Sequence, residues 1–123
     1  MTVPQAPDIE LLLTGLLRES LPAHVYIGRA VPEDTRDYMV TVRRQGGPTG
    51  RFLDRPRIGI NVWAPTAEAA NNFYGVISAL LHEYTTDAEN PIKSASVYGL
   101  TEIREPTRLN QRYFTADLSV RTT

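Results

Sequence analysis

The chain has 123 residues, of which 41% are hydrophobic and 22% are charged, proportions typical of a globular domain and not of a disordered chain. Lys and Arg number 13 against 14 Asp and Glu, so the formal net charge of -1 favours neither a basic nucleic-acid-binding protein nor an acidic mimic. The absence of cysteine excludes disulfides, thiolate metal sites and a cysteine nucleophile. We therefore expect residues 1–123 to form a single domain.

Neither a targeting segment nor a membrane segment is visible in the sequence. Residues 1–5 lack the basic stretch and the long apolar run of a signal peptide. The most apolar stretch, residues 9–17, is interrupted by polar residues and falls well short of the roughly 20 residues that span a bilayer. We expect a protein that is made in the cytoplasm and does not enter a membrane.

The first predicted helix begins near Asp8 and ends at about Ser20. Pro7 suits the first turn of a helix, and Asp8 and Glu10 place negative charge at the positive end of the helix dipole. Pro22 ends the element. The apolar residues follow the spacing of one buried helix face: Ile9, Leu12, Leu13, Leu16 and Leu17.

Three strand-like runs follow, at residues 24–29, 38–44 and 57–63. Residues 46–50, between the last two runs, have the sequence Gly-Gly-Pro-Thr-Gly and form a flexible connection of the kind that joins neighbouring antiparallel strands. The second and third runs alternate with a period of two, and their apolar faces are Tyr38, Val40 and Val42 in one and Ile58, Ile60 and Val62 in the other.

A second helix is predicted from Ala67 to about Tyr84, with the Thr66 hydroxyl accepting an unpaired N–H of the first turn. Two further strands follow, at residues 94–104 and 111–121, and Gly99 marks a bulge in the first of them. The apolar stripe of the helix consists of Ala70, Phe73, Tyr74, Ile77, Leu80, Leu81 and Tyr84.

The predicted order of elements is therefore α-β-β-β-α-β-β. Five strands with one-sided alternation and two amphipathic helices favour an α+β sandwich, a mainly antiparallel five-stranded sheet with both helices packed on one face. We expect the other face of the sheet either to be solvated or to meet a partner subunit. That face carries Arg43, Asn61, Trp63, Thr115 and Ser119.

Motifs for catalysis, metal binding and phosphate binding are weak throughout the sequence. His24 and His82 lack a further ligand at a metal-site spacing, so we interpret both as ordinary polar residues. Residues 46–51 resemble a phosphate-binding loop only in their glycines, because they open no helix and lack a Gly-Lys-Ser/Thr ending. We predict no catalytic residue, no cofactor and no metal. An acidic run is better explained as a solvated loop than as a cation site: Glu33, Asp34 and Asp37.

Arginine is concentrated in one segment of the chain. Of the 13 basic residues only Lys93 is a lysine, and five arginines fall between positions 43 and 57 against a single acid, Asp54. Three interpretations are open: a docking loop for an acidic surface, a set of contacts to a DNA backbone, and a solvated hairpin in an arginine-rich protein. The candidate interface residues for a partner or a second copy are Arg43, Arg44, Gly46, Gly47, Arg51, Asp54, Arg55, Arg57 and Trp63.

The order and spacing of several short motifs are similar to those of a known family. The motifs are Pro7-Asp8-Ile9-Glu10 with the leucines after it, residues 40–47 (VTVRRQGG), 54–58 (DRPRI), 62–64 (VWA) and 79–82 (ALLH), Glu105-Pro106, and residues 111–120 (QRYFTADLSV). Over nearly its whole length the chain resembles the small tail terminator proteins of long-tailed bacteriophages of the siphovirus type, particularly those that infect actinobacteria.

The resemblance implies a structural role in the virion. Such proteins cap the finished tail tube, usually as a hexameric ring, stop the addition of tube subunits and present the surface that joins the tail to the head. The resemblance thus implies a homo-hexamer at the head-proximal end of the tail, with the tail tube protein and a head–tail connector or neck protein as partners. DNA would pass through the lumen without specific binding, which a mildly negative ring suits.

Within this picture we expect the loop at residues 46–54 to project toward a neighbouring subunit or the tube protein. We also expect deletion of this loop to leave the fold intact and to abolish assembly. Trp63 is a second interface candidate, and the alternative is an ordinary residue at the edge of the core.

Other functions stay open from the sequence alone. The nearest is another neck component, such as a head-closure or head–tail connector protein. A small enzyme or nucleotide-binding domain would need reactive residues gathered in a pocket. A small DNA-binding protein would bind DNA with an affinity that falls steeply as salt is added.

Overall fold

The computed structural model describes residues 7–50, 52–104 and 108–122. Residues 1–5, Arg51 and the Glu105-Pro106 motif, which the sequence analysis used, lie outside the described residues. The elements in chain order are α1 (Ile9–Ser20), β1 (Tyr26–Gly28), β2 (Met39–Arg44), β3 (Leu53–Asp54), β4 (Arg57–Ala64), α2 (Ala67–Tyr84), β5 (Ile92–Ile103) and β6 (Asn110–Arg121).

Both helices have the bounds that the sequence predicts. Asp8 caps α1, where its side chain accepts a hydrogen bond from the Leu11 N–H at 3.2 Å, and Thr66 caps α2 by accepting from the Ala69 N–H at 3.0 Å. These caps satisfy donors that the first turn of a helix leaves unpaired. The predicted apolar stripes enter the core, which confirms the helical periodicity.

The sheet is mixed, which corrects the prediction of a mainly antiparallel sheet. Its strands lie in the order β1-β2-β4-β6, with β3 and β5 also paired to β6. β1 pairs parallel with β2, whereas the other pairs are antiparallel. The reason is that residues 29–38 carry the chain back toward the end at which β1 begins, so that β2 starts beside it and runs in the same direction.

The order of elements also differs from the prediction, because the two-residue strand β3 precedes β4. Asp54 faces Val120 and Arg57 faces Asp117, so both strands keep one register along β6. Pro56 interrupts the ladder since a proline has no N–H to donate, although its carbonyl still accepts from the Leu118 N–H at 3.1 Å. β3 and β4 are therefore one strand that a proline divides.

The core lies between the helices and one face of the sheet. The buried residues of α1 and α2 form a single cluster with the inward residues of the strands, which places both helices on that face. The sheet contributes Val40 and Val42 from β2, Ile58, Ile60 and Val62 from β4, and Phe114, Ala116, Leu118 and Val120 from β6. The expected alternation of β4 and β6 is thereby confirmed.

The opposite face of the sheet is less open than the sequence suggests. Met39 and Thr41 point to this face by their strand register, and they are only 1% and 5% exposed. Strand β2 is therefore buried on both sides along most of its length. In β5, Gly99 has a φ of 76° and lies within a register shift between Tyr98 and Thr101, which confirms the predicted bulge. In the described part of the chain, neither helix has the length and apolar composition that crossing a bilayer requires.

Candidate functional site

The loop that connects β2 to β3 is ordered by its own backbone. At its base the Gln45 N–H donates to the Arg57 carbonyl at 2.7 Å, and the Arg57 N–H donates to the Gly46 carbonyl at 3.0 Å. Nearer the tip, the Arg55 N–H donates to the Pro48 carbonyl at 2.9 Å. The sequence predicts a flexible connection here, and in the structure these hydrogen bonds join the described residues of the loop to Arg55 and to the start of β4.

Gly46 and Gly47 allow the loop to turn. Their φ values are 119° and 93°, a region that side chains with a Cβ rarely adopt. A Cβ on Gly47 would also overlap the backbone of Arg55, whereas the space around Gly46 is open. Both glycines thus have a conformational role, and Gly47 has a steric one in addition.

An arginine holds the loop from inside. The Arg44 guanidinium donates to both carboxylate oxygens of Asp54, at 2.6 Å from Nη1 and 2.9 Å from Nη2. It donates as well to the carbonyls of Gly46 and Gly47, each at 3.1 Å. We call this set of contacts the Arg44 clamp. A planar guanidinium can make all of these bonds at once because its donors point in several directions in one plane.

The carboxylate of the clamp is inside the protein. Asp54 is 0% exposed, and hydrogen bonding from Arg44 is the main reason that the pKa of Asp54 lies below its usual value. The same hydrogen bond raises the pKa of Arg44. Burial acts against both charges, but the paired geometry outweighs it. Arg44 and Asp54 are two of the predicted interface residues. In the structure their side chains bind each other and hold the loop backbone in place.

Glu10 braces the loop from α1. Its carboxylate accepts from the Arg44 N–H at 2.7 Å and forms ion pairs with Arg29 at 2.6 Å and Arg43 at 3.7 Å. β1 ends at Gly28, opposite Thr41, so Glu10 occupies the edge of β2 beyond it. From the sequence Glu10 is predicted only to interact with the helix dipole, since no local pattern shows that a helix residue will meet a strand edge.

Arg57 is the first residue of β4, directly after the loop, and its side chain is exposed to solvent. It donates from Nε to Asp117 at 3.0 Å, and the Tyr98 hydroxyl donates to the same carboxylate at 2.9 Å. The side chains of Arg57 and Asp117 are 57% and 42% exposed. Hydrogen bonding from Arg57 lowers the pKa of Asp117, and hydrogen bonding to Asp117 raises that of Tyr98. This group is a surface cluster that a partner can reach.

The tip of the loop is apolar, which the sequence analysis missed. Phe52 is 69% exposed and Leu53 is 36% exposed. Together with Pro48, Thr49 and Arg55 they line a shallow depression of about 330 Å³. Exposed phenylalanine and leucine side by side are uncommon in a loop that the protein does not use for contacts. The sequence did contain a signal for this surface, because Phe52 and Leu53 are adjacent apolar residues within a Gly- and Pro-rich segment.

The predicted interface residues do not form one site. Arg43, Arg55 and Arg57 have exposed side chains around the loop, while Arg51 lies outside the described residues. Trp63 follows Arg57 by six residues on β4, a separation of about 20 Å along a strand. It is half-buried and lies directly across from Met39. The structure therefore separates Trp63 from the loop.

The histidines and the acidic run, which the sequence offers as possible metal ligands, do not come together in the structure. The His24 ring packs edge-on against Tyr38 with centroids 5.8 Å apart, and His82 is exposed in the last turn of α2. Within the acidic run, Asp37 pairs with Arg108 at 2.8 Å. Among the described residues, no three His, Asp or Glu side chains come together in a way that could hold a metal ion.

Comparison with known proteins identifies one family. A family model described as phage tail termination protein matches residues 5–111, a range that runs from before α1 into β6. The family is one of structural phage tail proteins and is not a known class of enzymes. A search of curated proteins finds no match. The family resemblance that the sequence motifs indicate is confirmed, and the link to phages of actinobacteria stays a prediction.

Proposed function

Because this chain belongs to the phage tail termination family, we propose that it caps the finished tail tube as a hexameric ring and ends tube polymerisation. In this proposal the ring also forms the surface that joins the tail to the head, through a connector or neck protein. The observation that carries the proposal is the family match over residues 5–111, which contains both helices and the whole loop between β2 and β3.

The geometry of the loop supports a contact role. The Arg44 clamp fixes the backbone before any partner arrives, so binding does not have to order the loop. Phe52 and Leu53 supply apolar surface at its tip, and Arg55 and Arg57 supply positive charge beside it. We assign Arg44, Asp54, Gly46 and Gly47 to shaping the loop and place the partner at its exposed residues. Arg43 and Trp63 remain proposed contacts.

The charge of the chain supports a conduit rather than a DNA-binding protein. A ring of identical subunits, each with a net charge of -1, presents no excess of positive charge to the phosphate backbone. The basic residues described here are partly neutralised within the molecule, for instance Arg44 by Asp54 and Arg57 by Asp117. We therefore propose that DNA passes through the lumen without specific binding.

The first experiment measures assembly directly. The purified protein is examined by light scattering and negative-stain microscopy, alone and after mixing with tail tubes. We expect a particle of six times the 13.7 kDa chain mass, and rings at one end of each tube. A monomer that leaves tubes uncapped would contradict the proposal.

A second experiment tests termination as distinct from binding. Purified tube protein is allowed to polymerise with and without this chain, and tube lengths are measured by electron microscopy. A terminator stops growth at the capped end, so the length distribution becomes shorter as the chain is added. A neck component of another kind, such as a head-closure protein, binds a finished tail but leaves growing tubes unchanged.

A further inference from the structure

Two apolar surface features lie at opposite ends of strand β2. One is the tip of the loop, formed by residues 48–50 together with Phe52 and Leu53, which we call the Phe52 knob. The other is a cavity between the end of α1 and the first half of α2, which we call the α1–α2 groove. We propose that the knob of one copy of this chain docks in the groove of the next copy, as the subunit contact of the ring proposed above.

The Phe52 knob has the properties of an anchor. Phe52 presents its side chain to solvent at 69% exposure, while its backbone carbonyl accepts from the Thr122 N–H at 3.0 Å. The Gly50 N–H donates to the Leu53 carbonyl at 2.8 Å, and Asp54 follows as a buried residue. An aromatic side chain on a fixed backbone loses little freedom on binding, and such side chains dominate the energetics of interfaces.

The α1–α2 groove is the right kind and size of receptor. It has a volume of about 200 Å³, below the roughly 300–1,000 Å³ of small-molecule pockets, and therefore suits one side chain better than a ligand. Phe73 in the groove is 6% exposed and packs edge-on against Tyr38, whereas Val76 is 39% exposed. Two polar residues, His24 and Asn72, also line the groove, and its apolar lining consists of Leu21, Pro22, Val25, Tyr38, Ala69, Phe73 and Val76.

The two features cannot meet within one molecule. Tyr38 precedes the first residue of β2, and the loop begins after its last residue, Arg44. Six residues of extended chain separate the two ends by about 20 Å. A contact between knob and groove therefore joins two copies head to tail. A head-to-tail contact of this type closes into a ring when its rotation divides a full turn.

Charges near the two features are complementary. Arg55 lies beside the knob, and its exposed guanidinium has no hydrogen-bond or ion-pair partner in the described part of the chain. At the groove, the exposed Glu68 precedes the lining residue Ala69 in the chain, whereas the exposed Asp37, which precedes Tyr38, is paired with Arg108 at 2.8 Å. Opposite charges at the rims set the orientation of the contact.

A pair of variants tests the contact. Phe52→Glu removes the knob and keeps the groove, while Val76→Glu places a charge in the groove and keeps the knob. Each variant alone should stay monomeric under conditions in which the unchanged protein forms rings. Mixed together, they should form a one-to-one dimer and nothing larger, because only one knob and one groove remain intact. Native mass spectrometry measures all of these states.

A matched control separates this effect from a general loss of exposed apolar surface. Leu11 on α1 is 68% exposed, nearly the same as Phe52, and lies outside both features. Leu11→Glu should form rings like the unchanged protein. Circular dichroism melting of every variant checks that the fold is kept.

The possible failures are distinguishable. If Phe52→Glu or Val76→Glu forms normal rings, or if the folded variants do not dimerise on mixing, the knob-and-groove contact is wrong and the ring itself stands. If the unchanged protein stays monomeric and ignores tubes, the proposed function is contradicted, and the contact with it.

Discussion

Two arginine–aspartate pairs flank the same loop and differ in almost every physical respect. The Arg44–Asp54 pair has two hydrogen bonds, at 2.6 Å and 2.9 Å, and its carboxylate is fully buried. The Arg57–Asp117 pair has one hydrogen bond at 3.0 Å between side chains that are 57% and 42% exposed. The four residues are of the same two types, and the Gly46 carbonyl accepts both from the Arg44 side chain and from the Arg57 N–H.

The difference shows that burial decides what such a pair does. In water, ion pairing gains little because both partners are already solvated and the attraction is screened. In the interior, removal of one partner leaves the other charged and without water, so the pair becomes indispensable once it is formed. The arginines between 43 and 57 are therefore not one binding surface but a buried clamp and several exposed side chains.

Arg44→Met breaks the clamp and should have the largest effect on the fold. It leaves the Asp54 carboxylate buried without its cation and removes two donors to loop carbonyls, so we expect a loss of about 3 kcal/mol in the free energy of unfolding. Urea denaturation followed by circular dichroism measures it. Arg44→Lys should recover only part of the loss, because an ammonium group cannot donate in the planar fork. Unchanged stability in Arg44→Met would refute the clamp.

Replacing a glycine of the loop separates conformational strain from steric overlap. Gly47→Ala adds a Cβ against the Arg55 backbone at a positive φ, and we expect a loss of about 1–3 kcal/mol. Gly46→Ala is also placed at a positive φ but has open space around the new methyl group, so it lacks the steric overlap and its loss should be smaller. Urea denaturation of the two variants, measured side by side, compares their losses in the free energy of unfolding. Equal losses would mean that the backbone near Arg55 moves to admit the new methyl group.

The pH dependence of stability distinguishes the two aspartates. The pKa of Asp54 is lower in the folded protein than its unfolded value of about 3.9, so below that value the unfolded chain binds more protons. Its contribution to stability is therefore complete above about pH 5, falls as the pH drops through the unfolded pKa, and is lost once the pH lies below the folded pKa.

Denaturation series between pH 2 and pH 6 measure this slope. Asp54→Asn should flatten it clearly, while Asp117→Asn should flatten it less, because solvent screens the Arg57–Asp117 pair. A larger change of slope in Asp117→Asn would reverse our ordering of the two pairs.

Arg57→Ala should have the smallest effect on the fold. Its guanidinium is exposed, and the Asp117 carboxylate that it leaves behind is solvated, so the thermal midpoint should stay the same within error at low and at high salt. Differential scanning calorimetry is a suitable measurement. A clear drop in the midpoint would mean that the surface pair contributes to the fold.

The helices were predictable because their signals are local. Asp8 and Thr66 satisfy N–H groups only three residues away, and the apolar residues of each helix recur along a few turns. The strands β4 and β6 were predictable for the same reason, since Ile58 and Phe114 alternate with polar neighbours. The parallel pairing of β1 with β2 and the division of one strand at Pro56 could not be predicted. Both depend on which distant segment of the chain pairs with the strand.

The candidate site was predictable only as a segment. The glycines and arginines between 43 and 57 marked where the loop lies, but they did not distinguish Arg44 from Arg57. That distinction depends on Asp54 being enclosed by the core and on Glu10 reaching the edge of β2 from a helix 34 residues earlier in the chain. The exposure of Phe52 was not predicted, because apolar residues are normally assigned to the interior.

The sequence by itself determined the two helices, the inward faces of β2, β4 and β6, the position of the loop and the family. Each of these depends on residues that are neighbours along the chain or on the order of short motifs. Tertiary structure alone decided which arginine is buried, which carboxylate it binds, and that the knob and the groove lie at opposite ends of β2. The physical reason is that burial and pairing are properties of contacts between distant segments, and the same side chain is a structural clamp or a solvated charge according to what surrounds it.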